Sequence, residues 1–261
     1  MKKKKAFTLV ELLVVIAIIA LLLAILMPAL QKARDLAKTT VCIAGCKSLS
    51  LAWTVYASDN DAKIVSAMTG YSEYGNHFGK NPLLCPNPWV DWGGYAFEGP
   101  GNKERQIKAI KQGMLYPYVN TPDAYRCPTS KKFEFICYTI PDLFGNLRIE
   151  GHQTMGGQEV LLTTLDIKRP SDRIIFLDEG YVSYGGYTIY YNRAEWWDRP
   201  PVRHNKGITL GYADGHSDFY KWRDQRTIDL GLGDSSTYSQ PGNEDLQMIQ
   251  RGIYGELGYT P

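Results

Sequence analysis

The sequence lacks the local signatures of most catalytic chemistry. Its 261 residues contain no Gly-x-Ser-x-Gly, no phosphate-binding loop and no Cys-x-x-Cys. No motif is therefore present for a nucleophile elbow, a nucleotide phosphate or a dithiol redox pair. Gly-Gly pairs at 93–94, 156–157 and 185–186 are isolated and read as turns. Charge excess is also missing. Lys and Arg total 29 against 27 Asp and Glu, and four of the cations stand at 2–5; removing those 4 from 29 leaves 25 against 27, a net −2 before any new amino terminus. No basic patch remains for nucleic acid. Cysteine is sparse: five in a chain of this length do not make a disulfide scaffold, and an odd count leaves at least one thiol free or bridged to another chain. Cys42 and Cys46 lie four apart on one helix face. Cys127 and Cys137 are spaced to bridge across a turn, with Cys85 as another partner, and the connectivity stays open.

Aromatic residues are plentiful, with 18 Tyr, 8 Phe and 6 Trp, ample for the core of one sizeable domain or two small ones. The other abundance is at the N-terminus, KKKKAFTLVELLVVIAI. Residues 12–27 are 16 positions without a polar side chain, and the weakly polar span 7–30 covers 24. A helix of that length reaches about 36 Å, enough to cross a bilayer core. The preceding lysines place that end on the cytoplasmic side and everything after residue 30 outside the cytoplasm. A secretory signal has a shorter apolar stretch of about 7–15 residues. A plain anchor tolerates the length but gives Glu11 no task, although a carboxylate inside a membrane helix costs about 2.5–3.5 kcal/mol near its centre.

AFTLVELLVVIAIIALLLAILMPAL resembles the class III signal of type IV prepilins and type II secretion pseudopilins. The resemblance covers about 30 residues. It implies cleavage between Ala6 and Phe7 by a prepilin peptidase and methylation of the Phe7 amine. Glu11 is fifth from Phe7, as the family requires, and Pro28 is 22nd, where a helix-kinking Pro is common. Ala6 departs from the usual Gly, which implies slower processing. The family also implies a role for Glu11: in a fibre of side-by-side helices its carboxylate faces the Phe7 amine of a neighbour. The pairing offsets the cost of either charge and sets the register.

After residue 30, Leu30, Ala33, Ala37, Val41, Ala44, Leu51 and Val55 recur at helical spacing, so the helix is expected to continue as an amphipathic rod to about Ser58. Gly45 weakens it by about 1 kcal/mol relative to alanine. Residues 61–165 read as an irregular, loop-rich insertion with one helical candidate at 103–112. Its Trp89, Trp92, Tyr95 and Phe97 are expected to pack the insertion; exposed, they would suit a sugar or a partner. Strands are expected at RIIFLDE (173–179), at GYTIYYN (186–192) and on both sides of Asp214-Gly215. A two-residue type I′ turn there pairs Ala213 with His216 and Leu210 with Phe219, and puts Ile208, Leu210, Tyr212 and Phe219 on the face toward the helix.

His204, nine residues and then Asp214-Gly215 resemble the prepilin-associated H-X9-DG domain. CIAGCKSLSLAWTVYASDND and Tyr125-Arg126-Cys127-Pro128 resemble its helix end and mid-domain Cys-Pro. Residues 66–125 and 223–261 match it poorly. The resemblance implies pilus or secretion assembly and no catalytic residue. As a metal or acid–base cluster, His204, Asp214, His216 and Asp218 match no ligand spacing; the structural reading gives Asp214-Gly215 the turn and lets His204 cap or bond the neighbouring strand. Calcium in the manner of major pseudopilins would draw on Asp178, Glu179, Asp214 and Asp218, though no continuous loop reproduces such a site and otherwise no cofactor is implied.

The expectation is an α+β, pilin-like protein: a long N-terminal helix, its first half transmembrane, packed on an antiparallel sheet with a loop-rich insertion. The divisions are a leader at 1–6, an assembly helix at 7–30, its amphipathic continuation at 31–60, the insertion at 61–165, the sheet at 166–222 and a tail at 223–261. The expected function is a structural subunit of a type II secretion pseudopilus or type IV pilus-like filament. It would sit in the inner membrane with its head periplasmic. Its partners would be the prepilin peptidase, other pilin or pseudopilin subunits, the inner-membrane assembly machinery and lipid. The alternative is an anchored extracytoplasmic binding module, with glycans as one ligand class, that does not polymerise.

Overall fold

The computed structural model describes residues 9–67, 69, 87–91, 102–132, 134–145, 158–179 and 186–261. Ala6, Phe7, Cys85, Trp92, Tyr95 and Phe97 lie outside them.

Helix α1 (Leu9–Asp59) is one element of 51 residues and runs through Pro28. It stops where Asp61 and Ala62 take positive φ, with the Ala62 amide turned back onto the Ala57 carbonyl. Residues 9–30 are exposed along their whole length. The buried face begins at Thr39 and continues through Cys42, Cys46, Leu49, Trp53 and Tyr56. This corrects the expected stripe: Val41, Ala44, Leu51 and Val55 are exposed. Hydropathy underweights the true face because several of its members are small or weakly polar. They are small because the sheet lies close. A Cβ on Gly211 would come within 2.2 Å of Ser50 Oγ and 2.9 Å of Cys46 Sγ, and one on Gly45 within 2.8 Å of the Tyr138 hydroxyl. The helix-propensity cost of Gly45 is thus offset by packing.

The sheet is antiparallel and four-stranded, in the order β1 (Tyr138–Thr139), β2 (Ile174–Asp178), β3 (Gly207–Tyr212) and β4 (Ser217–Lys221). Its first strand lies within the stretch expected to be only insertion. Residues 186–192 make no ladder. Tyr187 and Ile189 form single bridges, to Pro141 and Trp196, and both are buried.

The β3–β4 register differs by one residue from expectation. Leu210 pairs with Asp218 and Thr209 with Phe219. Three residues, 213–215, form the loop, and within it only Gly215 has positive φ, at 91°. That is the three-residue hairpin with a glycine bulge, not the type I′ turn, and the slip puts Thr209 and Gly211 of β3, rather than Ile208 and Leu210, on the face shared with Phe219. Thr209 and Gly211 now face α1. Ile208 looks the other way with its partner Tyr220, whose hydroxyl donates to Asp245 at 2.9 Å.

Asp245 belongs to the segment expected to be a tail, which instead carries α4 (Gln225–Leu232) and α5 (Glu244–Tyr254). Each has a side-chain N-cap: Asp224 accepts from the Arg226 amide, and Asn243 from those of Asp245 and Leu246. Leu246, Ile249 and Ile253 are buried on the sheet side opposite α1. Arg173 at the edge of β2 donates to the Ile253 carbonyl, placing a cation at the α5 C-terminus.

The expected helix at 103–112 is present as α2 (Lys103–Gln112), followed by the single turn α3 (Tyr116–Val119). Trp89 packs as expected: it is fully buried, stacked on Tyr125 and edge-on to Phe176.

Candidate functional site

Among the described residues, two places carry more than packing. The first is the free half of α1. Residues 9–30 lie in one helix, whose i→i−4 bonding pairs the backbone groups beyond its first turn except around Pro28, and they present only apolar side chains after Glu11. By length and composition this one helix can cross a membrane. Glu11 sits in its first turn. A carboxylate there is favoured by the helix dipole whatever else it pairs with.

The second is buried where α1 meets the sheet. Cys42 projects from α1, and Cys127 follows the 3-10 turn Pro122–Tyr125. Asp178 ends β2, and His204 begins the turn into β3. All four are buried, and one donor atom from each lies within 4.8 Å of every other. His204 Nε2 is 2.9 Å from Asp178 Oδ2 and 3.1 Å from Cys127 Sγ; Cys42 Sγ is 3.1 Å from Asp178 Oδ2. Around them stand the Tyr138 hydroxyl and Thr209 Oγ1, 3.1 and 3.2 Å from Cys42 Sγ. Thr129 Oγ1 is 3.0 Å from Cys127 Sγ, and Arg203 Nε is 3.4 Å from Asp178 Oδ1.

The electrostatics follow from burial and crowding. The hydrogen bond from Cys42, opposed by burial and aided by His204 and Arg203, draws the Cys127 thiol well below the usual thiol range. Burial, then the bond to Cys127 and the Asp178 charge, push Cys42 far up. Burial works against a charge on His204, but Asp178 and Cys127 lift it to about 9. Burial raises Asp178 while His204 and Arg203 restrain it. The arrangement gathers two sulfurs, an imidazole and a carboxylate, with Arg203 beside the carboxylate.

His204 does bond the neighbouring strand, through Asp178. It reaches it from a turn in which His204, Asn205 and Lys206 all have positive φ, at 45°, 62° and 66°. Three consecutive non-glycine residues in this conformation are costly and are held by what surrounds them. Asp214 and Asp218 are elsewhere. Asp214 is at the exposed hairpin turn, accepting from His216, and Asp218 is exposed on β4. Among the described residues, the one group of three or more metal-competent side chains includes Asp178 but neither of these. Glu179, the residue after Asp178, is half-buried, and desolvation raises its carboxyl. Cys127 and Cys137 are both free and buried, as are Cys42 and Cys46.

Sequence spacing did not reveal the cluster, because its members lie at 42, 127, 178 and 204. One signal was available. The helix-end cysteines, the mid-domain Cys-Pro and the His of the H-X9-DG spacing carried one resemblance, and three of those residues converge here.

A single apolar helix that leads from an N-terminal motif into an α+β head defines a pilin-like subunit of the prepilin class. Residues 1–27 match the prokaryotic N-terminal methylation motif. The match ends well before His204. A type II secretion system core protein G from Pseudomonas aeruginosa is 30% identical over 112 residues, covering 39% of this chain and 78% of that protein. The chain belongs to this family of type II secretion pseudopilins. No solved structure matches it.

Proposed function

We propose that the chain is a structural subunit of a type II secretion pseudopilus or a related type IV pilus-like filament. The observation that carries the reading is α1 itself: an apolar half without a partner in the head, continuous with a half locked into it. A prepilin peptidase cuts between Ala6 and Phe7 and methylates the new amine. Before assembly, residues 7–30 lie in the inner membrane with the head on the periplasmic side. Assembly moves them from lipid into a bundle of like helices, driven by machinery in that membrane. Glu11 of one subunit faces the Phe7 amine of the next, which compensates both charges and sets the axial step. A helix-to-helix contact that does not close generates a filament.

The first test is mass spectrometry of the N-terminal peptide from protein purified from its native membrane. N-methylated Phe7 at the terminus is expected. A chain still beginning at Met1 would leave a plain anchor, and one cut after residue 30 a secreted domain; either removes Glu11 from the mechanism. Glu11→Ala is then expected to abolish filament assembly while the head stays folded, and normal filaments from that variant would refute the charge pairing.

A further inference from the structure

The Cys42–Cys127–Asp178–His204 cluster is not needed for an apolar helix to enter a bundle, and it is not what a packed core requires. Two thiols, an imidazole and a carboxylate converge from four separate elements. Buried polar groups of this kind are costly unless something binds them together.

We propose that these four side chains form a closed site for a zinc-type divalent cation, which staples α1 to the head. The donor set fits. Zinc takes Cys sulfur, His nitrogen and carboxylate oxygen in four-coordinate tetrahedra, and four protein ligands with no open position mark a structural site rather than a catalytic one. Thiolate and imidazole together favour zinc over calcium or magnesium. With metal–ligand lengths of roughly 2.0–2.3 Å, tetrahedral donors stand roughly 3.3–3.8 Å apart. The contacts of 2.9 to 3.1 Å need to open by only a few tenths of an ångström. Charge also balances: two thiolates and one carboxylate oppose a divalent ion and the Arg203 guanidinium beside Asp178. The outer groups are those that orient ligands, with hydroxyls of Tyr138, Thr209 and Thr129 on the sulfurs.

A Cys42–Cys127 disulfide is the competing use of the same sulfurs. It gives no account of why His204 and Asp178 are aimed at them, nor of the left-handed turn that does the aiming. The metal accounts for all four groups.

The location has a consequence for the proposed function. Cys42 stands one turn after Thr39, at the membrane-proximal edge of the buried face of α1. Force applied through residues 7–30 would reach the head at this point. That consequence rests on the pilin reading; the site itself does not, since metal content is measured without any filament.

The test uses the full chain, purified in detergent without chelator and equilibrated with trace zinc. About one zinc per chain is expected by elemental mass spectrometry, with a thiolate-to-metal charge-transfer band on cobalt substitution. His204→Gln and Cys127→Ser should each weaken zinc binding by more than about 100-fold, beyond the usual effect of losing an outer-shell partner. Cys46→Ser, which removes a buried thiol outside the cluster, should retain the metal. A metal-free chain lighter by two hydrogens, with Cys42 and Cys127 linked, overturns the proposal in favour of the disulfide. A metal-free chain with both thiols intact overturns it in favour of a hydrogen-bonded network. Zinc retained by both ligand variants places the ion elsewhere and also overturns it. If Cys127→Ser fails to fold, the wild-type stoichiometry and His204→Gln still decide.

Discussion

Along α1, residues 9–30 and residues 39–57 stand in opposite relations to their surroundings. In the first stretch Leu9 is 79% exposed and Leu21 64%, whereas in the second Leu49 and Trp53 are fully buried. The more hydrophobic half is the one with no protein around it. Burial is therefore not ordered by hydropathy within this helix. The first half is composed for lipid or for other helices, the second for one particular sheet. What the second half loses in apolar character it regains in close fit, through Gly45, Gly211 and a face of small residues.

The sharpest way to break this contrast is to truncate one large side chain in each half. Trp53→Ala should cost the head about 3–5 kcal/mol, read as a shift in urea unfolding of the full chain in detergent. Leu22→Ala should change the same midpoint by less than about 0.5 kcal/mol. Equal effects would mean that the free half also packs on the head.

The next effect comes from pH and concerns only the packed region. Burial, and then the Asp198 charge, push the Asp142 carboxyl up to about 8. Burial likewise moves Asp198 up to about 6. In the unfolded chain both lie near 4. Between those limits the folded chain holds protons that the unfolded chain has released. The contribution of these two groups to stability is therefore fullest below about pH 4 and is lost as pH rises toward 8. The head should melt several degrees lower at pH ~8 than at ~5, a loss on the order of 2–4 kcal/mol. Asp142→Asn should make that slope measurably shallower, and an unchanged slope would refute the assignment.

A smaller effect tests the fit itself. Gly211→Ala places a methyl group against Ser50 and Cys46 and should cost about 1–3 kcal/mol through overpacking. Smallest of all is Val41→Ser, next to Cys42 but on the exposed face, expected within about 0.5 kcal/mol of wild type. A large loss there would restore the stripe that periodicity alone suggests.

That stripe shows where sequence reading stopped. Leu30, Ala33, Ala37 and Val41 follow helical spacing, yet the sheet selected the face carrying Thr39, Cys42 and Cys46, because close approach needs small side chains and offers them polar partners. Asp214-Gly215 announced a hairpin but not its length. Asp214 stayed at negative φ, one extra residue entered the loop, and Thr209 rather than Leu210 came to share the face of Phe219. The C-terminal segment looked like a tail because its two helices are short and obtain their stability from the sheet rather than from their own periodicity.

The anchor is written locally: the lysines, Phe7, Glu11, the apolar run and Pro28 lie within one short stretch, and a bilayer selects on composition and length alone. The α+β class is legible in the same way, since a long helix, β-branched runs and a turn dipeptide are local signals. The face α1 buries, the register of the hairpin and the meeting of Cys42, Cys127, Asp178 and His204 are set by long-range packing. Each of those depends on which distant segments come within a few ångströms of one another, and contact across that much chain leaves no period or spacing to read.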